Sequence, residues 1–176
     1  MESSETPTSL SEKKQIDESC LYDLIEEFTL LPGAITDKNV TPEAFRAIYG
    51  SPEAASAENI VYVYLAEKPI PRVKGASRIV YIGETEKSFK KRNLSNAKCH
   101  ATSAANGFKY RYIAEHYGPI RIATSPYQRF VDPAQHSQNT NLRRKAEGQL
   151  LWWYFLNHCE YPPVNYTKTK VRNRYL

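Results

Sequence analysis

Two kinds of apolar spacing alternate along the chain, and each implies a different element. After Asp17, a candidate N-cap, Leu21, Leu24, Ile25 and Phe28 follow the i, i+3, i+4, i+7 rule of an amphipathic helix, and Pro32-Gly33 ends the run. Thr41 before Pro42 opens a shorter helix with Phe45, Ile48 and Tyr49 on one face and Gly50 with Pro52 as its stop. Then the spacing changes. Ile60 to Ala66 (IVYVYLA) and Arg78 to Gly83 (RIVYIG) are β-branched and aromatic runs of strand length, parted by a loop with Pro69, Pro71 and Gly75, which predicts an antiparallel hairpin. Ser88 to about His100 is helical by composition, and Phe108 to Tyr117 suits another helix closed by Gly118-Pro119. Ile120 to Thr124 reads as a short third strand, and a last helix capped by Asn139, Thr140 or Asn141 reaches about His158. This order predicts an α+β fold: a small mixed or antiparallel three-stranded sheet flanked by helices, with an N-terminal helical extension. Residues 1–16, almost without apolar side chains, are expected to be an unstructured tail, 17–59 an acidic helical extension and 60–176 the main domain.

Composition narrows the class. A chain of 176 residues with 41% hydrophobic side chains can build one ordinary core, so disorder throughout is excluded. No G-x-y period, sustained heptad or internal repeat is present, which excludes collagen, coiled coil and solenoid. The three cysteines, Cys20, Cys99 and Cys159, are too few and odd in number for a disulfide scaffold. The longest apolar run, Leu150 to Leu156, is far short of a membrane span, and Met1 is followed by acidic and hydroxyl residues, so a soluble intracellular protein with no membrane partner is expected. The net charge of +5 hides a division: residues 1–59 hold 4 basic and 12 acidic side chains, residues 60–176 hold 20 and 7. An anionic partner belongs to the basic part.

Candidate chemistry gathers there. Tyr62 and Tyr64, two apart on a strand, share a face, and Tyr81 on the partner strand reaches it. The ordinary reading is that tyrosine favours strands. Arg92, Asn96 and His100 form a row at i, i+4, i+8 on the following helix, a pattern also common on solvated faces. Glu147 stands beside Arg143, Arg144 and Lys145, where a surface ion pair is the plain explanation. Yet it is the only acidic residue between Pro133 and Cys159 and is in register with Leu150, Leu151 and Tyr154. The three cations beside it stand in their helix's first turn, opposed by the macrodipole; a phosphate partner would compensate them, though a solvated basic turn is also ordinary. Cys99-His100 with His158-Cys159 offers four soft ligands, but adjacent helical residues point about 100° apart and no C-x-x-C occurs, which speaks against a zinc site.

Tyr62-Val63-Tyr64, Tyr81-Ile82-Gly83, Arg92, Glu147 on an apolar helix and Asn165 after Pro162-Pro163, in that order, resemble the GIY-YIG nuclease family over about residues 60–166. The resemblance implies that Tyr64 and Tyr81 are the family's two tyrosines, Arg92 its arginine, Glu147 its metal ligand and Asn165 its asparagine. The chain departs from the pattern in having Tyr62 where the family often has glycine, a long hairpin loop over 67–77, and Arg92 one residue further on. Asn96 stands where many members have histidine; either His100, one turn later, takes that role or it is absent.

A Mg²⁺- or Mn²⁺-dependent DNA endonuclease, restriction-like and compact, is what the resemblance implies, with double-stranded DNA as partner and a homodimer to cut both strands. In that reading Tyr64 takes a proton from water, helped by a neighbouring cation among Lys74, Lys91 and Arg92, because a free phenol has a pKa of about 10. Tyr81 orients water or phosphate, Arg92 grips non-bridging oxygens, and Glu147 holds one metal ion with waters and phosphate. Asn165 tethers a loop or helix end near Glu147. Lys74, Lys90, Lys91, Arg143, Arg144 and Lys145 are the candidate DNA contacts, joined by Lys168, Lys170, Arg172 and Arg174. The alternatives are a repair or mobile-element nuclease, a non-catalytic nucleic-acid-binding module on the same fold, and a partner-binding protein whose acidic segment covers its basic core.

Overall fold

The computed structural model describes residues 20–131 and 141–165. It is an α+β fold around a four-stranded, wholly antiparallel sheet, with one strand more than the sequence pattern gives. In chain order come α1 (Cys20–Glu26), β1 (Thr29–Leu30), α2 (Pro42–Tyr49), α3 (Pro52–Ser56), β2 (Ile60–Pro71) and β3 (Ala76–Thr85). They are followed by α4 (Phe89–Asn93), a 3₁₀ turn (Leu94–Asn96), α5 (Ala97–Thr102), α6 (Asn106–Tyr117), β4 (Ile120–Pro126), a 3₁₀ turn (Tyr127–Phe130) and α7 (Leu142–His158). The sheet order is β1-β4-β2-β3.

Strand alternation divides the core into two layers. Tyr62, Tyr64 and Ile122 face α2, α5 and α6, among Phe45, Tyr49, Ala97, Ala101, Tyr110 and Ile113. Val61, Val63, Ile82 and Ala123 face α1 and α7, against Leu21, Ile25, Ala146, Leu150 and Tyr154. The segment before β2 thus fills the same core as the strands.

Local signals set most boundaries. Thr41 Oγ1 accepts from Ala44 N–H at 3.2 Å with Pro42 in the first turn of α2, and Asn141 Oδ1 accepts from Arg144 N–H at 3.2 Å to cap α7. Of the other cap candidates, Asn139 and Thr140 lie outside the described residues, as do Asp17, the expected tail at 1–16 and the terminal cations from Lys168 on.

Two elements differ from the expectation. The first helix stops at Glu26, and Thr29–Leu30 pairs with Thr124 and Ala123. Leu31 N–H donates to Ile122 O at 2.8 Å and Ile35 exchanges two bonds with Ile120, so this segment closes an edge of β4 that a longer helix would leave open. The single helix expected over 88–100 is broken at Leu94–Asn96. Asn93 and Asn96 each turn a side-chain amide onto the carbonyl four residues back, Phe89 O and Arg92 O, in competition with the helical ladder.

Candidate functional site

A bulge in the hairpin builds the site. Tyr62 pairs with Gly83 and Tyr64 with Tyr81, but Leu65 pairs with Ile79, which leaves Val80 as the extra residue. Tyr81 therefore stands directly across from Tyr64 with ring centroids 5.5 Å apart, and Tyr62 lies 6.0 Å from Tyr81. Gly83 is required under these rings: a Cβ there would lie 2.7 Å from Tyr62 Cζ and 2.7 Å from Tyr81 Cε1. The rings and α4 to α6 enclose a pocket of about 100 Å³, lined by Tyr62, Tyr64, Tyr81, Arg92, Asn96 and His100, with Asn93, Asn106, Tyr110 and Val164 completing it. The broken helix still delivers Arg92, Asn96 and His100 to one wall.

Glu147 lies half-buried on α7, one turn after Arg143, and its charge raises the pKa of Tyr81 after the larger effect of burial. Arg92, exposed at the mouth, lowers it, as does a hydrogen bond with Tyr62. Tyr64 is 1% exposed. Burial pushes its phenol well above the usual range, and the neighbouring phenols Tyr49, Tyr110 and Tyr62 push it further. These phenols and burial act on it most strongly, while Arg92, one of the expected cations, shares the lining of the pocket with it. Lys74 sits instead at the hairpin tip, where its N–H donates to His158 O (3.2 Å) and its carbonyl meets His158 Nδ1 (2.8 Å), away from the pocket.

Comparison with known proteins finds no matching family model, curated protein or solved structure.

His100 stands beside Tyr49, whose Oη is 2.6 Å from its Nδ1, and burial lowers its pKa to about 4. Asn165 acts on the backbone: its Oδ1 accepts from Ile82 N–H at 2.9 Å and its Nδ2 donates to Ile82 O at 2.8 Å, while Val164 N–H donates to Val80 O at 3.0 Å. The outer edge of β3 is thereby covered.

Of the candidate DNA contacts, Lys90 and Lys91 share α4 with Arg92. Arg144 and Lys145 are exposed on the first turn of α7. Arg143 is turned inward, 2.9 Å from Glu86 and 3.6 Å from Glu84, with its guanidinium over the Tyr127 ring. That network offsets the cation at the wrong helix end. Of the four soft ligands, His100 and His158 lie on opposite layers, and among the described residues no three His, Cys, Asp or Glu side chains cluster as a metal cage.

Tyr49 was not legible as a site residue. Tyr49 shows on the apolar face of its helix, and a buried phenol implies a partner for its hydroxyl, but the partners lie 15 and 51 residues away.

Proposed function

We propose that the chain is a metal-dependent DNA endonuclease of GIY-YIG type. The observation that carries this reading is the convergence of two tyrosine strands, Arg92 and His100 on one pocket, with Glu147 acting on Tyr81 from the far helix. Tyrosines that only pack in a sheet have no reason to share a pocket with Arg92 and to feel the charge of Glu147 from the opposite layer. A Mg²⁺ or Mn²⁺ ion fits one half-buried carboxylate, that of Glu147, provided that water and substrate phosphate supply the remaining ligands. Bound there, it would stabilise charge on the phosphate oxygens. Arg92, exposed and planar, grips the same phosphate bidentately and balances the charge that develops during attack. Tyr81, which feels the charges of both Glu147 and Arg92, orients the attacking water, and Tyr64 receives its proton. Asn165 keeps β3, and with it Tyr81, in register. Lys90 and Lys91 extend the positive surface along the backbone of a duplex, and cutting both strands calls for two copies of the chain.

The test is incubation of purified protein with plasmid and phage DNA, with and without Mg²⁺, beside Glu147→Ala. Discrete Mg²⁺-dependent bands lost in the variant support a site-specific, restriction-like enzyme; a smear supports a repair or mobile-element type. A second reading, a non-catalytic nucleic-acid-binding module, draws on the burial of Tyr64 and its raised pKa. Salt-sensitive DNA binding by both proteins without cleavage would establish that reading instead.

A further inference from the structure

Tyr49 is the one phenol of this cluster that joins two lining residues of the pocket without lining it. Its ring is fully buried between Phe45 and Phe89, with centroids 5.6 and 5.5 Å away. Its Oη lies 2.8 Å from Tyr64 Oη and 2.6 Å from His100 Nδ1. Side chains from β2, α2 and α5 are thus joined end to end in an unbroken line of hydrogen bonds, the middle one supplied by a helix outside the tyrosine-strand motifs.

We propose that Tyr49 is a positioning residue that couples Tyr64 to His100 as a proton relay, which makes α2 part of the active site. This rests on the nuclease reading above. With His100 protonated at Nε2, its Nδ1 accepts from Tyr49, and the Tyr49 oxygen accepts from Tyr64. As a pocket water attacks phosphorus it gives a proton to Tyr64 Oη, the Tyr64 proton passes to Tyr49 Oη, and the Tyr49 proton passes to His100 Nδ1. The water's lone pair forms the new P–O bond. The bond to the leaving oxygen breaks with its electron pair, and that oxygen takes a proton from solvent. The added proton then returns from His100 Nδ1 through Tyr49 and Tyr64 to pocket water, which restores the Nε2–H tautomer and the starting hydrogen bonds.

A relay answers a difficulty set by the site. Burial opposes a standing phenolate at Tyr64, whose hydrogen-bond partner Tyr49 is a phenol, whereas transfer along the line moves the charge to an imidazole on the pocket wall. The titratable and charged groups around His100 are Tyr49 from α2, Tyr110 from α6, Tyr64 from β2 and, across the pocket, Tyr62, Tyr81 and Arg92. Among the described residues no carboxylate lines the pocket, so burial keeps the imidazole neutral and able to accept until a phosphodiester brings negative charge.

Tyr49→Phe keeps the ring and removes the bridging oxygen. Its single-turnover rate on plasmid DNA with Mg²⁺ is expected to fall by about 100-fold or more, with Kd for the same DNA within about twofold, and the acid limb of the pH–rate profile is expected to vanish. His100→Asn keeps an acceptor oxygen for Tyr49 but no base, and the same loss is expected. Wild-type rate and pH profile in either variant overturn the relay and leave the nuclease reading intact. Long-range ¹⁵N NMR of the wild-type histidines gives a readout independent of cleavage: the Nε2–H tautomer at His100 is expected, and an Nδ1–H tautomer overturns the relay. Absence of cleavage by the wild type removes the nuclease reading, and the relay falls with it.

Discussion

One missing carbon at Gly83 lets the Tyr62 and Tyr81 rings lie over the strand, each 2.7 Å from where a Cβ would stand. Both rings are held by packing, so Gly83→Ala is expected to cost about 1–3 kcal/mol. A lowered urea midpoint with an unchanged m-value would show it. His100 sets a pH dependence at the same scale. Its folded pKa of about 4 lies below the ordinary 6.5, so between these values the unfolded chain binds a proton that the folded chain refuses. Stability is therefore expected to fall as pH drops from about 6.5 to about 4, by up to about 3 kcal/mol from this residue, and to be unaffected by it above that window. His158, lowered chiefly by burial, adds in the same direction. Urea titrations of wild type and His100→Asn across this range would measure the difference, which should shrink in the variant. Strand alternation was enough to put Tyr62 and Tyr64 on one face with Tyr81 near it. The bulge at Val80 that sets Tyr81 opposite Tyr64 has no local signature, because it is a choice of register between two apolar strands.

At the scale of elements, the caps and the hairpin were legible, since Thr41-Pro42, Asn141 and the two tyrosine strands act through neighbours in sequence. β1 was not, because its pairing with β4 is decided by partners 93 and 95 residues away and overrides a helical pattern that continues through Phe28. The tether on β3 is of the same non-local kind. Asn165 satisfies both backbone groups of Ile82, so Asn165→Ala is expected to cost about 1–3 kcal/mol. Hydrogen exchange localises the effect: the Ile82 amide should lose protection while the β2–β4 ladder keeps its own. Uniform loss across the sheet would instead point to global destabilisation.

For the whole molecule, the division of charge separates two kinds of cation. Arg143 is held by Glu84 and Glu86, whereas Lys90 and Lys91 stand on the helix that carries Arg92. Lys90→Gln with Lys91→Gln is therefore expected to weaken DNA binding and flatten its salt dependence by a slope of about 1–2. Arg143→Gln is expected to lower thermal stability with little change in that slope, and fluorescence anisotropy at several salt concentrations distinguishes the two. Among the described residues no helix is long and apolar enough to cross a membrane. The segment before β2 shares the core with the strands, and Tyr49 carries it into the site, a role that its acidic composition gave no reason to expect.

The central claim is that the tyrosine pocket and Glu147 form one phosphodiester-cleaving site. The most direct measurement is cleavage of supercoiled plasmid across a Mg²⁺ titration by wild type and Glu147→Gln, at protein concentrations giving equal DNA occupancy. Wild type should cut only with the metal, and the variant should bind equally yet cut at least about 100-fold more slowly. Equal cutting by both proteins, or equal binding with no cutting by either, would contradict the claim.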